Sequence, residues 1–449
     1  MKQRLTEGDV GSQLLQLTLP TVWGVLALIT FNLADTYFVG QLGTVQLAAM
    51  SFTFPVVMTL GNLAWGLGVG AASVIARAIG EGDHARVQRF TTNSLTLSLV
   101  AVILFVSVGL VTIDPLFTAL GATAEVLPLI RDYMQIWYFG MIFLVVPLVG
   151  NSAIRAAGNT TTPSLIMTLA AGINIVLDPL LILGWGGFPR LELQGAALAT
   201  VITRAMTLVA ALLVLQFKER MLSPKLPDWR ETLWCWRDIL HVGIPAAATN
   251  MINPIAIGVV TSLLATFGAE VVAAFGVASR IESLAMIIPM ALAASMSPFV
   301  GQNWGAKQYS RVRRALQLSF WFCLFWGLLS MVILAPAAGW LAAIFDNNPE
   351  VVAIAINYFL IVPISYAAAS VILVSSSTFN ALGKPLPAVV MTLVRTFGLY
   401  IPLAYLGGQL MGPNGVFIAA SASSLAVGIG AYLWNQKTCS VKASLSSHL

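Results

Sequence analysis

Charged side chains are scarce in this sequence: only 9% of its 449 residues are Asp, Glu, Lys or Arg, whereas 58% are hydrophobic. An average soluble domain is about 25% charged, so a soluble protein of this length would lack the ionic side chains that cover a surface. The low charge argues against a soluble enzyme, a nucleic-acid-binding protein and a secreted module.

Cysteine and histidine are also rare, with three of each. The cysteines are odd in number and widely spaced, so they predict neither a disulfide framework nor a metal cluster. None of the histidines lies deep in an apolar run, and HExxH, Gly-x-Ser-x-Gly and paired Asp-x-x-Asp motifs are absent from the sequence. A membrane-embedded enzyme is therefore disfavoured.

Long apolar runs are abundant instead. A membrane-spanning helix needs about 20 mostly apolar residues, and the first of twelve such runs continues past Pro20 into a full span, which argues against a cleavable signal peptide. The sequence predicts an all-α membrane protein with twelve transmembrane helices. The runs cover roughly residues 12–38, 45–76, 87–112, 123–149, 161–184, 194–216, 238–265, 270–300, 312–335, 348–378, 385–407 and 413–434.

The basic residues are distributed unevenly between the two sides of the predicted membrane. Most of the 23 Lys and Arg residues lie on one side, the opposite side holds only Arg131 and Arg190, and Arg204, Arg280 and Arg395 fall within spans. Because loops rich in Lys and Arg stay in the cytoplasm, we expect the basic side and both termini to be cytoplasmic.

The chain contains an internal repeat. A shift of 225 residues carries Pro20 onto Pro245 within similar segments. The same shift pairs Gly43 with Gly268, Gly80 with Gly305, Tyr133 with Tyr358 and Gly158 with Gly383. We predict an N-lobe (1–216, TM1–6), a cytoplasmic linker (217–236) and a C-lobe (237–449, TM7–12), related by a pseudo-two-fold axis along the membrane normal. Two such lobes suit alternating access, although gene duplication also builds membrane proteins that transport nothing.

Three acids lie at membrane depth: Asp35 and Asp178 in the first half and Glu282 in the second. Burying a charge there costs at least ~2.5–3.5 kcal/mol on insertion scales, and the duplicate of Asp35 is Val260. Asn174 precedes Asp178 by four residues and Asn32 precedes Asp35 by three, so each pair shares a helix face. Two carboxylates in a poorly hydrated pocket hold protons more tightly, which suits proton coupling. Two structural alternatives remain: Asp178 could satisfy a kink at Pro179, and Asp35 could face a loop.

Three further features have competing interpretations. Glu282 and Arg280 are two residues apart and do not face each other, so a structural partner elsewhere is favoured over coupling. Arg395 could line the second lobe or brace it. Pro20 removes a backbone hydrogen bond, which predicts either a hinge in span 1 or a fixed kink.

The sequence resembles the multidrug and toxic compound extrusion (MATE) family, and within it the DNA-damage-inducible F (DinF)-like branch. The resemblance is carried by the six-plus-six repeat, the spacing of Pro20 and Asp35, the run at 153–163 (AIRAAGNTTTP) and Asn174-x-x-x-Asp178-Pro179. It implies that Asp35, Asn174 and Asp178 form a coupling site and that protonation of Asp35 bends span 1 at Pro20. The further implied residues are Tyr133 and Thr200 for the hydrogen-bond network and Asn151, Met167 and Asn32 for the substrate cavity.

The predicted function is multidrug efflux: export of cationic amphipathic compounds in exchange for protons across a bacterial cytoplasmic (inner) membrane, by a monomer that binds no nucleic acid and no cofactor. A sodium site in the C-lobe, as in the other large branch, is disfavoured because spans 7 and 10 lack its acids. Sodium at the N-lobe acids remains an alternative, since carboxylate and amide oxygens also suit a hard cation. A lipid-linked oligosaccharide flippase is a second alternative, if Arg204, Arg280 and Arg395 line one cavity.

Overall fold

The computed structural model describes residues 5–223, 228–345 and 348–446, and in this part of the chain it contains helices and no strand. The α-helices are α1 (Val10–Gly40), α2 (Thr44–Glu81), α3 (His84–Ala119), α4 (Leu127–Ala156), α5 (Thr161–Ile182), α6 (Glu192–Leu213), α7 (Trp229–Ala265), α8 (Ala269–Ala285), α9 (Ile287–Gly305), α10 (Tyr309–Phe345), α11 (Pro349–Ile361), α12 (Tyr366–Ala381), α13 (Leu386–Leu393), α14 (Ile401–Met411) and α15 (Pro413–Ser446). Shorter segments are 3-10 helical at Trp185–Gly187 and Val362–Ser365 and π-helical at Val214–Lys218 and Val394–Tyr400.

The helices have the length and composition of membrane spans. Within the described residues, 11 helical stretches are long and apolar enough to cross a membrane, with α11 and α12 counted as one stretch and α13 and α14 as another. Helices α8 and α9, bent by 45°, make a twelfth if they form one span. Large apolar side chains remain exposed on them, such as Val111 at 81% and Leu410 at 84%. Such a surface suits lipid, where the backbone must satisfy its hydrogen bonds within each helix. The predicted all-α membrane fold with twelve spans is confirmed.

The chain forms two compact units. Unit 1 comprises the described residues of Leu19–Ala247, and unit 2 comprises those of Leu5–Thr18 and Ala248–Leu449. The units therefore change within helices α1 and α7, not in the predicted linker. Each change lies within three residues of a repeat-related proline, Pro20 or Pro245. Helix α1 is nevertheless continuous through Pro20.

Each unit is built around one buried helix. In unit 1, α4 packs against α2, α3 and α6, and it buries Met134, Tyr138 and Met141. In unit 2, α12 packs against α9, α10 and α15 and begins with the buried Tyr366. The predicted repeat relates α4 to α11 and α12, so the two cores use corresponding parts of the sequence.

The backbone conformation supports the internal repeat. Gly43 and Gly268 precede α2 and α8 with φ of 130° and 127°, and Gly158 and Gly383 have φ of 88° and 71°. These are left-handed conformations that only glycine adopts at little cost. Gly82 (φ 79°) corresponds to Lys307 (φ 60°), so the turn is kept even where the glycine is not. Helix boundaries are thus set by the same turns in both halves.

The second half has three irregularities where the first half is continuous. The chain bends by 45° at Met286 between α8 and α9. A 3-10 segment, Val362–Ser365, separates α11 from α12, and a π-helical segment, Val394–Tyr400, separates α13 from α14. The repeat relates these positions to uninterrupted parts of α2, α4 and α5. Because π-helical insertions are frequent at functional sites, the irregularities mark unit 2 for closer inspection.

A polar clamp holds the segment that precedes α1 against unit 2. The Arg311 guanidinium donates to the carbonyls of Gly8 (2.6 Å) and Leu5 (3.1 Å) and to Asn303 Oδ1 (2.9 Å). Asn303 Nδ2 also donates to the Leu5 carbonyl, and the Leu5 amide donates to Gln302 Oε1. Hydrogen bonds from a charged donor are stronger than neutral ones. Arg311 therefore contributes most to holding this segment in place.

We expect Arg311→Ala to release this segment. Hydrogen bonds to a charged group contribute about 1.5–3 kcal/mol each, so hydrogen exchange at the Leu5 amide should accelerate at least about tenfold. Mass spectrometry of peptides covering residues 5–13 measures this exchange. Arg314→Ala is the matched control, since Arg314 is exposed on the same helix. Equal exchange in both variants would contradict the clamp.

Candidate functional site

The predicted coupling acids are positioned by a close approach of α1 and α5. A Cβ on Gly24 would lie 2.9 Å from Ser164 Oγ and 3.3 Å from Ser164 Cα, so the helices meet closely there. From this contact, Asp35 is about 16 Å along α1 and Asp178 about 21 Å along α5, at 1.5 Å rise per residue. As odd-numbered spans, both helices run in the same direction. The two carboxylates therefore lie at similar depth.

The structure brings Asp35, Asn174 and Asp178 together. Asp35 and Asp178 lie close enough for their charges to interact. Asn174 and Asp178 are fully buried, and Asn174 Nδ2 donates to Asp178 Oδ1 at 3.1 Å. Three other oxygens, Asp35 Oδ1, Asn174 Oδ1 and Asp178 Oδ2, are buried and lack a hydrogen-bond donor within the described residues. Buried acceptors of this kind are expensive unless a donor or cation reaches them.

Tyr133 joins the acids from α4, and Thr200 does not. Tyr133 is 8% exposed and lies close enough to Asp35 for an electrostatic interaction. Thr200, on α6, is half-buried, and among the described residues no hydrogen bond links it to the acids. The role of Thr200 in the hydrogen-bond network, which the resemblance implies, therefore remains a prediction.

The predicted substrate-cavity residues are spread over three helices. Asn151 is buried on α4 with its Oδ1 lacking a donor in the described structure, Met167 is half-buried on α5, and Asn32 is exposed on α1. No described hydrogen bond joins the three. Pro20 is partly buried within the uninterrupted α1. Their roles in substrate binding and bending remain predictions.

Arg204 is a residue whose role the sequence left open. Its guanidinium, on α6, lies over the Phe31 ring of α1, with 5.1 Å between Cζ and the ring centroid. Its Nε is buried and has no hydrogen-bond partner in the described residues. Phe31 is four residues before Asp35, so ring and carboxylate share a face of α1. Because charge within a span is costly, an arginine at such a position indicates a functional site already in the sequence.

Unit 2 holds a second group of polar side chains within its helices, the C-half cluster (Glu282, Tyr358, Tyr366, Arg395 and Tyr400). Tyr358 donates its hydroxyl to Glu282 Oε2. Arg395, Tyr366 and Tyr400 lie close enough to Glu282 for electrostatic interaction. The sequence-based expectation that Glu282 has a partner on another helix is confirmed. Since Tyr358 is the repeat counterpart of Tyr133, each unit places the corresponding tyrosine near an acid within its helices.

The arginines of the flippase alternative belong to different units. Arg204 lies in unit 1 over Phe31, whereas Arg395 lies in unit 2, where its guanidinium donates to Asn253 Oδ1 at 3.2 Å. Arg280 is exposed on α8. Across the described residues, no group of three or more His, Cys, Asp or Glu side chains could hold a metal ion.

The two-unit helical fold with buried carboxylates in its spans defines a polytopic membrane transporter, and comparison with known proteins identifies the family. The MatE family profile matches residues 20–180 and 245–406, once in each half. The chain belongs to the MATE family. Its members are transporters, so this protein is a transporter and not an enzyme.

Individual relatives match along almost the whole chain. A FAD transporter of Shewanella oneidensis is 40% identical and covers 100% of both chains. A probable multidrug resistance protein NorM of Halalkalibacterium halodurans is 29% identical over 93% of this chain and 92% of its own. The crystal structure of the Vibrio cholerae MATE transporter VcmN in its bent form has a TM-score of 0.91 at 30% identity, covering 96% of this chain and 98% of that one.

Proposed function

We propose that this transporter exports flavin adenine dinucleotide in exchange for protons, which Asp35 and Asp178 take up and release. Proton coupling is supported by three buried oxygens, one each on Asp35, Asn174 and Asp178, that have no hydrogen-bond donor in the described residues. A proton on either carboxylate supplies one of the missing donors. Asp35 is the principal carrier because its neighbours are another acid and a tyrosine, while Asn174 orients Asp178.

The flavin substrate is supported by the full-length relative named a FAD transporter, which is 40% identical. The multidrug relatives are less similar, at 29% for the Halalkalibacterium protein. Export of cationic amphipathic compounds is the second candidate, because the N-half acids offer negative charge to a cation. Membership of the DinF-like branch, a bacterial inner-membrane location with cytoplasmic termini, and a monomeric state belong to the same proposal.

Protons are favoured over sodium at this site because its neighbours leave few ligands for a metal ion. The site offers two carboxylates and one amide, and Asn174 Nδ2 already occupies one carboxylate oxygen. A hard cation usually takes six or more oxygens or waters, whereas a proton needs a single acceptor. Bending of α1 at Pro20 when Asp35 is protonated would connect ion uptake to substrate release.

Everted membrane vesicles provide the test. We expect uptake of FAD when the vesicle interior is acidic. We expect no uptake when the pH is equal on both sides and sodium is higher inside the vesicles. Ethidium, a cationic amphipathic dye, is measured in parallel, and vesicles without the protein give the background. Sodium-driven uptake at equal pH would contradict the choice of ion. Ethidium uptake without FAD uptake would favour the second candidate substrate.

A further inference from the structure

The three helix irregularities of unit 2 meet at the C-half cluster. Glu282 lies four residues before the bend at Met286, Tyr358 and Tyr366 flank the 3-10 segment Val362–Ser365, and Arg395 and Tyr400 lie within the π-helical segment. Irregular backbone at membrane depth is tolerated where it is buried in protein or lines a water-filled space. Neighbouring side chains satisfy the freed carbonyls: Trp326 Nε1 donates to Ala285 and Ser421 Oγ to Ile361.

The repeat shows that these irregularities are not required by the fold. The corresponding parts of α2, α4 and α5 are uninterrupted. The π-helical segment also overlaps the start of the stretch, about Gly398–Pro402, that corresponds to Asn174–Asp178 in the first half. The second copy therefore lacks acids at the positions of Asp35 and Asp178, and it has a π-helical segment with Arg395 and Tyr400 where α5 is regular.

Arg395 retains unused hydrogen-bonding capacity. Among the described residues its guanidinium makes one hydrogen bond, to Asn253 Oδ1, and no ion pair within 4.0 Å joins it to Glu282. Both Arg395 and Glu282 remain partly accessible, and Asn253 is exposed. A guanidinium has five donors in a planar fork, so most of them are free for another group. Glu282 offsets part of the cost of holding this cation within the span without occupying it.

The tyrosines give the cluster an aromatic wall. The Tyr358 ring packs edge-on against Phe275 and Phe417. Tyr366 is 1% exposed, and its hydroxyl is buried without a hydrogen-bond partner in the described residues. The free N–H donors of the Arg395 guanidinium suit an anionic group of a substrate. The neighbouring tyrosine rings suit a planar aromatic group of the same molecule. Guanidinium groups recognise phosphate in this manner, through two parallel hydrogen bonds.

We propose that the C-half cluster is a substrate subsite in which Arg395 binds a phosphate of a flavin dinucleotide, with Asn253 holding the guanidinium in place. This inference rests on the proposed function and names the residues that would select a phosphorylated substrate. The coupling acids of unit 1 and the phosphate-binding residue of unit 2 would then be separate parts of one transport cycle.

The test compares substrates that differ in phosphate number. The purified full-length protein in liposomes is supplied with FAD, flavin mononucleotide, riboflavin and ethidium, which carry two, one, no and no phosphates. We expect Arg395→Gln to raise the KM for FAD about ten- to a hundredfold, while riboflavin and ethidium uptake changes by less than about twofold. Arg280→Gln is the matched control because this exposed arginine lies outside the cluster.

Two further variants guard against a folding defect. Arg395→Lys keeps the charge but loses the planar fork, so its KM for FAD should fall between those of the wild type and Arg395→Gln. Asn253→Ala removes only the anchor and should raise the same KM by a smaller factor at an unchanged melting temperature. Equal losses for all substrates, or an unchanged KM for FAD, would overturn the subsite. Failure of the unmodified protein to carry any flavin would overturn the proposed substrate and this assignment with it.

Discussion

Asp35→Asn is expected to reduce FAD uptake driven by a pH gradient to the level of vesicles without the protein. Asparagine has nearly the shape of aspartate but cannot exchange a proton at neutral pH. Its amide can also donate to the neighbouring acceptors, so the site would resemble the permanently protonated state. Initial uptake rates at several imposed pH gradients measure the loss.

Three comparisons separate this loss from damage to the fold. Asp114→Asn is the matched control, because Asp114 is half-exposed on α3 and pairs with Arg131 on α4 at 2.7 Å. It should retain wild-type transport, since exposed ion pairs contribute about 0–1 kcal/mol. Asp178→Asn should leave an intermediate rate because Asp35 still carries a proton. FAD binding to Asp35→Asn, measured by flavin fluorescence, should persist. Wild-type uptake by Asp35→Asn would contradict proton coupling at this residue.

The sequence was sufficient to predict the membrane spans and to single out Asp35 and Asp178, for physical reasons. A run of apolar residues long enough for the bilayer has few other uses, so the twelve predicted spans correspond to helices of the structure. Asp35 and Asp178 stood out because charge within a span is costly. The structure adds that the two acids lie close enough for their charges to interact.

The C-half cluster was beyond the reach of the sequence because its contacts are long-range. Glu282 and Tyr358 are 76 residues apart, and no periodicity links them. Hydropathy also gives no sign of the bend at Met286 or of the π-helical segment Val394–Tyr400, since both lie within apolar runs. The division of α1 between two units depends on which surface each part of the helix covers, and composition does not reveal this.

Helix α2 packs closely against α7 in unit 1 through glycines of α2. The sequence Gly66-Leu67-Gly68-Val69-Gly70 is a small-residue pattern typical of tight helix pairs, but it does not name the partner helix. A Cβ on Gly70 would lie 2.3 Å from the Ile239 carbonyl oxygen, and one on Gly66 would lie 2.5 Å from Ala247 Cβ. The obstacle at Gly70 is backbone, which cannot rotate away as a side chain can.

We therefore expect Gly70→Ala and Gly61→Ala to have opposite effects on stability, although both add one methyl group to α2. A Cβ on Gly61 meets nothing within 4 Å, so Gly61→Ala should leave the free energy of unfolding unchanged or raise it by up to about 1 kcal/mol through helix propensity. Gly70→Ala should lower it by about 3 kcal/mol or more, since overpacking against a fixed backbone moves the helices apart. Melting temperatures in detergent measure the difference. A Gly70→Ala protein as stable as Gly61→Ala would mean that α7 does not lie against α2 at this point, and the division of α7 between the two units would lose its structural basis.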